Sequence, residues 1–275
     1  MPSVCAEVDN DRASLDPLGT PAVFTSSEAY ERHVGRYGPA LSRAHVAAAG
    51  VEAGGRALDV GCGPGPLTEA LADLLGPEQV AAVDPSEPFV LACRRRVPGA
   101  DVRVGTAEQL PDFDSAFDVV MSQLVVNFLE DAAAGVRAMR AAARSGGLVT
   151  SCVWDYAGEM TMLRTFWDAA LELDAAAPDE GATMRHCSTD ELAELWSSAG
   201  LTDVETGELV VDASYSDFDD YWSPFPTGLG PSGAYCASLA PARQETLRDA
   251  CFRRLGEPAG PFTLTARAWL VLGRA

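Results

Sequence analysis

The sequence predicts an α/β fold in which a doubly wound, mostly parallel sheet is flanked by helices. Three observations lead to this prediction. Apolar runs alternate with helix-like segments between residues 56 and 153, the first run ends in Asp59 and a Gly-x-Gly-x-Gly turn, and the second run ends in Asp84. Such alternation implies parallel strands joined by crossover helices, and sheets of this kind bind ligands at the carboxyl ends of their strands.

The N-terminal part of the chain is predicted to contain an arm and a helical segment. Residues 1–25 lack periodicity and carry several prolines, so we expect a disordered or loose arm. A helix is expected to begin at Ser26 or Ser27 and to end at Gly50, and the Gly38-Pro39 step favours two shorter helices. Residues 26–275 are interpreted as one domain.

Strands and helices then largely alternate. The predicted strands are 56–60, 79–83, 101–104, 117–121 and 147–153. The predicted helices are 66–75, 86–97 and 130–144, and Gly146-Gly147 is expected to stop the last of them.

The pattern changes after residue 154. Helices are predicted at 159–174, 188–199 and 241–255, the second with a capping-box-like start, and strands at 204–211 and 263–272. We interpret the stretches 156–187 and 213–258 as insertions that form a mostly helical cap over the carboxyl ends of the strands.

The spacing of the glycines indicates the kind of ligand. A dinucleotide fingerprint requires Gly-x-Gly-x-x-Gly, but the third glycine here comes one residue early, at Gly65, and Pro66 takes the expected place. Asp59 also lies two residues before Gly61, where a carboxylate disfavours a pyrophosphate and suits a cationic group such as an amino-acid ammonium. S-adenosylmethionine combines that ammonium with a ribose and an adenine and has no phosphate.

Four segments in order resemble the class I S-adenosylmethionine-dependent methyltransferases, within them the small-molecule, type 11-like group. The resemblance covers about residues 28–155. The segments read Asp59-Val60-Gly61-Cys62-Gly63-Pro64-Gly65, Val83-Asp84-Pro85-Ser86, Gly105-Thr106-Ala107-Glu108-Gln109-Leu110-Pro111 and Phe117-Asp118-Val119-Val120-Met121-Ser122-Gln123. The resemblance implies a Rossmann-like seven-stranded sheet whose last strand is antiparallel, with S-adenosylmethionine as cofactor and S-adenosylhomocysteine as product.

The same resemblance implies a set of cofactor-binding residues. They are Tyr30, Arg36, Asp59, Gly61, Gly63, Gly65, Asp84, Pro85, Ser86, Thr106, Ala107, Glu108, Ser122 and Gln123. Asp59 would hold the ammonium end and Asp84 the ribose hydroxyls. The alternatives are a helix-capping acid for Asp59, a surface turn residue for Asp84 and an ordinary surface arginine for Arg36.

Candidates for the acceptor side follow the fifth strand or lie in the expected cap. His186 and Asp155 are the candidate catalytic bases, although transfer from a sulfonium can proceed by alignment alone. The candidate substrate-binding residues are Asn127, Trp154, Tyr156, Tyr221, Trp222 and Phe225. A structural histidine, a loop aspartate and an aromatic cap core are the alternatives.

Composition excludes several classes of partner. The net charge of −20 argues against a nucleic-acid partner. No apolar stretch approaches a membrane span, and the N-terminus has no signal-like core, so we expect no membrane partner and a cytoplasmic location. The chain has no lysine, which excludes lysine Schiff-base chemistry, and its scattered cysteines and histidines predict no metal.

These observations predict a methyltransferase that acts on a small, hydrophobic or aromatic molecule, with oxygen favoured over carbon or nitrogen as the acceptor atom. The alternative is a non-catalytic S-adenosylmethionine-binding module that regulates a partner. A nicotinamide-dependent oxidoreductase is disfavoured by the glycine spacing and by Asp59.

Overall fold

The structure, a computed structural model, describes residues 32–275. The predicted arm 1–25, the predicted helix start at Ser26 or Ser27 and the candidate cofactor residue Tyr30 lie outside the described residues.

A seven-stranded sheet forms the centre of the described part. Its strands are β1 (Ala57–Val60), β2 (Val80–Asp84), β3 (Asp101–Val104), β4 (Phe117–Gln123), β5 (Ala143–Trp154), β6 (Thr202–Tyr215) and β7 (Phe262–Arg274). They are arranged in the order β3-β2-β1-β4-β5-β7-β6. The first five strands pair in parallel, and β7 runs antiparallel to both β5 and β6. The predicted doubly wound sheet with an antiparallel last strand is therefore confirmed.

Helices connect the strands and cover both faces of the sheet. They are α1 (Gly38–Ala48), α2 (Pro66–Leu75), α3 (Glu87–Arg96), α4 (Ala132–Ala142), α5 (Thr161–Leu173), α6 (Glu180–Thr183), α7 (Thr189–Ser198), α8 (Phe218–Trp222), α9 (Gly230–Ser238) and α10 (Pro241–Arg254). Short 3-10 turns occur at Val34–Tyr37, Pro77–Gln79, Val126–Phe128 and Phe225–Thr227.

The core lies on both sides of the parallel strands. Every residue of β1 and β2 is buried, as expected for central strands covered on both faces. One apolar cluster contains Leu58, Val120 and Trp196, and another joins Ala57 to Leu71 of α2. Burial on both faces explains why these strands read as continuous apolar runs in the sequence.

The predicted stop of the fourth helix is wrong. Helix α4 ends at Ala142, and Gly146 and Gly147 lie inside β5 rather than at the helix end. Ala143 already has an extended backbone and pairs with Phe117, and the Gly146 amide donates to the Ala275 carbonyl at 2.8 Å. Hydrogen bonds to the neighbouring strands thus replace the helical ones earlier than the glycine pair suggested.

The two strands of the C-terminal half are longer than predicted. Strand β6 lies at the edge of the sheet, and buried and exposed residues alternate along its second half. Because the outward side chains beyond residue 211 are the polar Asp212 and Ser214, the apolar pattern in the sequence ended there, although pairing with β7 continues to Tyr215.

The cap segments pack on each other. Phe218 of α8 meets Phe252 of α10 with ring centroids 4.9 Å apart, and Phe166 of α5 stacks on Phe225 at 4.4 Å. Helices α8 and α9 were not predicted individually. No helix among residues 32–275 combines the length and the apolar character that a membrane crossing needs.

Candidate active site

The turn after β1 leaves one glycine open to a ligand. Gly61, Gly63 and Gly65 have φ values of 77°, 53° and 95°, which favour glycine at each position. A Cβ on Gly61 would clash with the Val125 side chain, and one on Gly65 would lie 2.8 Å from Cys93 Sγ. No atom of residues 32–275 lies within 4 Å of a Cβ placed on Gly63. The middle of the turn is therefore the place where a ligand can approach the main chain.

Asp59 presents an unpaired oxygen beside this turn. Its side chain is fully buried, and Oδ2 accepts a 2.7 Å hydrogen bond from Thr68 Oγ1 at the start of α2. Oδ1 is buried without a hydrogen-bond partner among the described residues. Burial raises the pKa of Asp59 to about 7, against the lowering effect of the Thr68 hydrogen bond. A ligand ammonium would supply both the missing donor and the missing positive charge.

Asp84 connects the ends of two strands. Its Oδ2 accepts from the Gly63 amide at 2.9 Å, and Oδ1 accepts from the Ser86 amide at 2.8 Å. Burial raises the pKa of the Asp84 carboxyl, while these two amides oppose the rise. Each oxygen keeps a further lone pair, so the carboxylate can still accept from two ligand hydroxyls. Ser86 precedes α3 without capping it through its side chain, and Pro85 is exposed.

The turn after β3 lies beside Asp84. The Gly105 amide donates to the Asp84 carbonyl at 3.1 Å. Thr106 Oγ1 accepts from the Gln109 amide at 3.2 Å, Ala107 is buried, and Glu108 is half-buried. The structure thus brings the predicted adenine-side segment next to the predicted ribose carboxylate.

The end of β4 contributes two polar side chains with different surroundings. Ser122 is fully buried and lies 2.9 Å from the Ser151 hydroxyl of β5, inside the sheet. Gln123 donates through Nε2 to Ser42 Oγ at 2.9 Å, and its Oε1 is buried without a partner among the described residues. Of the two predicted residues, Gln123 therefore presents a free acceptor and Ser122 does not.

Arg36 is held within the protein. Its guanidinium contacts Asp220 at 2.8 Å, donates to the Ser214 carbonyl at 3.0 Å and lies over the Tyr215 ring. The cofactor carboxylate that the sequence assigned to Arg36 would have to compete with these contacts.

Asp155 is likewise occupied by donors. Its oxygens accept from the Gly158 and Glu159 amides and from Arg267, whose Nη2 lies 2.8 Å away. Four hydrogen bonds, two of them from one guanidinium, thus engage both oxygens of this carboxylate within the protein. Arg267 lies on β7, so its ion pair with Asp155 connects the end of β5 to the last strand.

His186 lies in a short segment that approaches the end of β4. Its φ is 57°, and its side chain is half-buried. Burial lowers the pKa of His186 and Arg185 adds to this, whereas Glu191 raises it. The same segment contains Met184, whose Sδ lies 3.8 Å from Asn127 Nδ2. His186 therefore belongs to the segment next to the turn that follows β4.

Two further predicted residues have unpaired buried atoms. Asn127 is 5% exposed and Trp154 is 1% exposed. Asn127 Oδ1 and Trp154 Nε1 have no hydrogen-bond partner among the described residues. Tyr156 is also buried, two residues beyond Trp154.

The three aromatic residues predicted to bind substrate in the expected cap lie in an apolar cluster that also contains residues of β6 and β7. Tyr221 donates its hydroxyl to the Met162 carbonyl at 3.0 Å, and Phe225 stacks on Phe166. Trp222 is buried and stacks on Phe166 as well. In this structure the three rings therefore contact other aromatic side chains rather than an open pocket.

Glu180 is a buried carboxyl that sequence reasoning missed. It is 5% exposed and accepts a 2.7 Å hydrogen bond from Trp167 Nε1. Burial raises the pKa of Glu180 to about 7, opposed by the Trp167 hydrogen bond. The sequence around it is charged and contains proline, so no local pattern indicated that this carboxyl is buried. No group of three or more His, Cys, Asp or Glu residues within 32–275 is arranged to hold a metal ion.

Comparison with known proteins agrees with this geometry. Residues 58–150 match the family model described as Methyltransferase domain. The chain is 34% identical over 145 residues to the ubiquinone biosynthesis O-methyltransferase of Methylocella silvestris, a match covering 51% of this chain and 55% of the relative. The chain thus spans about half the length of such curated relatives.

Solved structures show the same fold at low sequence identity. Phosphoethanolamine N-methyltransferase 2 of Haemonchus contortus, solved with S-adenosylhomocysteine, gives a TM-score of 0.52 at 14% identity over 86% of this chain and 52% of that one. The [4+2]-cyclase SpnF gives a TM-score of 0.53 at 16% sequence identity, and the match covers 86% of this chain and 80% of the cyclase. Because a cyclase shares the fold, the fold alone does not define the reaction.

The family match, the sheet order and the glycine turn together define the class of the domain to which residues 58–150 belong. The chain contains a class I S-adenosylmethionine-dependent methyltransferase domain. S-adenosylmethionine is the cofactor of this class.

Proposed function

We propose that this protein transfers the methyl group of S-adenosylmethionine to a small hydrophobic or aromatic molecule, with oxygen as the acceptor atom. One observation carries the proposal. Two buried oxygens without a hydrogen-bond partner among residues 32–275, Asp59 Oδ1 and Gln123 Oε1, lie at the ends of the neighbouring strands β1 and β4, beside the turn at Gly63. Both oxygens can accept a hydrogen bond, and the ammonium group of S-adenosylmethionine can donate to them.

The residues of the site would bind and orient rather than react. When bound, S-adenosylmethionine supplies a methyl group already activated by a positive sulfur. Asp59 would hold the ammonium, Asp84 would accept from the ribose hydroxyls, and the turn around Thr106 would border the adenine. The cap formed by 156–187 and 213–258 would exclude water from the transfer.

The names of curated relatives support oxygen as the acceptor atom. Several of them are ubiquinone biosynthesis O-methyltransferases, including one from Azorhizobium caulinodans that is 41% identical over 80 residues. An acceptor hydroxyl must lose its proton, and we assign this step to His186. Its lowered pKa leaves the imidazole neutral and able to accept a proton at pH 7.

The test is turnover with a panel of phenols and catechols. We expect S-adenosylhomocysteine and a methyl ether to form together, in equal amounts, as measured by mass spectrometry. The Asp59→Asn variant should lose most of this activity, whereas Asp73→Asn, which changes an exposed carboxylate of α2, should keep it. Tight S-adenosylhomocysteine binding without turnover on any acceptor would instead favour the non-catalytic regulatory module.

A further inference from the structure

Near the carboxyl ends of adjacent strands lie four buried polar atoms that have no hydrogen-bond partner in the described part of the chain. They are Asp59 Oδ1, Gln123 Oε1, Asn127 Oδ1 and Trp154 Nε1. The first two match the cofactor, as argued above. The other two belong to the turn after β4 and to the last residue of β5, and nothing in the cofactor assignment uses them.

These two residues flank the same place in the fold. Strands β4 and β5 are neighbours, and the Leu124 amide donates to the Cys152 carbonyl at 2.8 Å where β4 ends. Met184, whose Sδ lies 3.8 Å from Asn127 Nδ2, packs against the apolar cluster that contains Trp154. Asn127 and Trp154 thus lie beside one cluster, at the carboxyl ends of neighbouring strands.

The chemistry of the two atoms is complementary. An indole N–H can only donate a hydrogen bond, and an amide oxygen can only accept one. A hydroxyl group does both, because its oxygen accepts while its proton is donated. A carboxylate could not satisfy Asn127 Oδ1, and an ammonium could not satisfy Trp154 Nε1.

The surroundings favour a neutral ligand with an apolar body. The carboxylate next in sequence, Asp155, is already paired with Arg267 at 2.8 Å. The Trp154 ring meets Tyr37 edge-on at 5.7 Å, and the Asn127 amide contacts the thioether of Met184. Apolar groups therefore surround the two unpaired polar atoms.

We propose that Trp154 Nε1 and Asn127 Oδ1 recognise the hydroxyl group of a neutral, aromatic alcohol as the methyl acceptor while it binds, before the hydroxyl turns its proton toward His186. This inference rests on the proposed function and adds the means by which the acceptor is selected. It also separates substrate from product. A methyl ether has no proton to donate, so the product leaves Asn127 Oδ1 unpaired and binds more weakly than the hydroxyl form.

The test uses the five tryptophan indoles of the chain as reporters. Protein labelled with ¹⁵N at the indole nitrogens and saturated with S-adenosylhomocysteine is titrated with 2-naphthol, 2-methoxynaphthalene and naphthalene. We expect 2-naphthol to move the Trp154 indole resonance downfield, with Trp154→Phe identifying the signal. The Trp196 resonance should stay in place, because its Nε1 already donates to the Val149 carbonyl at 3.0 Å.

Affinities measured by calorimetry complete the test. We expect 2-naphthol to bind about tenfold more tightly than naphthalene, and this preference to fall to about twofold in Trp154→Phe and in Asn127→Leu. Trp196→Phe, the matched control, should keep the preference. Three outcomes would overturn this inference alone, provided that S-adenosylhomocysteine binds normally. They are a Trp154 indole resonance that does not move, no binding of 2-naphthol, and a preference for 2-naphthol that is retained in both variants. Failure of the wild type to bind S-adenosylhomocysteine would overturn the proposed function as well.

Discussion

Thr68 donates a 2.7 Å hydrogen bond to Asp59 from the far side of the glycine turn. This bond fixes one carboxylate oxygen against the first turn of α2, and the other oxygen has no partner within residues 32–275. The hydrogen bond from Thr68 thus orients the Asp59 carboxylate, and the burial of this group disfavours its charged form. Such an arrangement is costly for the empty protein and favourable for a cationic ligand.

Replacing Asp59 with Asn should weaken cofactor binding and raise the free energy of unfolding. Because the pKa of Asp59 is raised to about 7 in the folded state, its contribution to stability is present at low pH and is lost as pH rises toward 7. At pH 8 the Asp59→Asn variant should therefore unfold with a free energy higher than wild type by up to about 4 kcal/mol. Urea unfolding of both proteins checks this. An unchanged or lower stability at pH 8 would contradict the burial argument, and Asp73→Asn serves as the exposed control.

Cofactor binding should release a proton below neutral pH. The ammonium requires the charged form of Asp59, so binding to the protonated carboxyl must expel its proton. We expect S-adenosylhomocysteine affinity to fall about tenfold per pH unit below pH 7 and to level off above it. Calorimetry in buffers of different ionisation enthalpy measures the released proton. A pH-independent affinity between pH 5.5 and 7 would show that another group holds the ammonium.

Loss of Asp84 should weaken cofactor binding. The Asp84→Ala variant frees the Gly63 and Ser86 amides and would remove the two charge-assisted hydrogen bonds that we propose to the ribose. We expect S-adenosylhomocysteine affinity to fall by about 1–3 kcal/mol. Glu87→Ala, an exposed carboxylate three residues later, should bind normally. Calorimetry showing equal affinities for wild type and Asp84→Ala would remove the ribose assignment.

The proton-transfer step distinguishes His186 from Glu180. If His186 takes the hydroxyl proton, His186→Ala should lower turnover by about two to four orders of magnitude and leave cofactor affinity unchanged. The acid limb of the pH–rate profile should have an apparent pKa below 6.5, since burial lowers the pKa of His186, and the variant should lose it.

Glu180→Gln is the matched comparison for this step. It keeps an oxygen that can accept from Trp167 Nε1 and removes only the ionisable group. We expect the Glu180→Gln variant to keep full activity. Loss of turnover in Glu180→Gln with full activity in His186→Ala would transfer the role to Glu180, and full activity in both variants would mean that alignment alone suffices.

The part of the fold nearest the cofactor could be predicted because its signals are local. Asp59 and Asp84 follow apolar runs directly, and the glycine turn lies between them in the sequence. The role of Asp155 could not be predicted, because Arg267, its partner, is 112 residues away. Its position depends on where the last strand enters the sheet.

The sequence likewise could not predict which aromatic and acidic residues of the segments 156–187 and 213–258 are buried. An aromatic side chain that lines a pocket and one that fills a core look the same in a sequence, and Phe225 proved to be stacked on Phe166. Glu180 lies among polar residues, so nothing local indicated that Trp167 would bury it. These contacts arise from the packing of helices that are separated along the chain.

The position of β7 between β5 and β6 has a consequence for biosynthesis. Strand β6 leaves the ribosome before β7, yet β7 is the only neighbour with which it pairs in the described sheet. Until β7 has been made, the edge of β5 stays open and β6 has no sheet to join. The parallel half can form during translation, but closure of the sheet must wait for its last strand. A nascent chain stalled before residue 262 would expose two unpaired edges, and chaperones that recognise such edges would bind it.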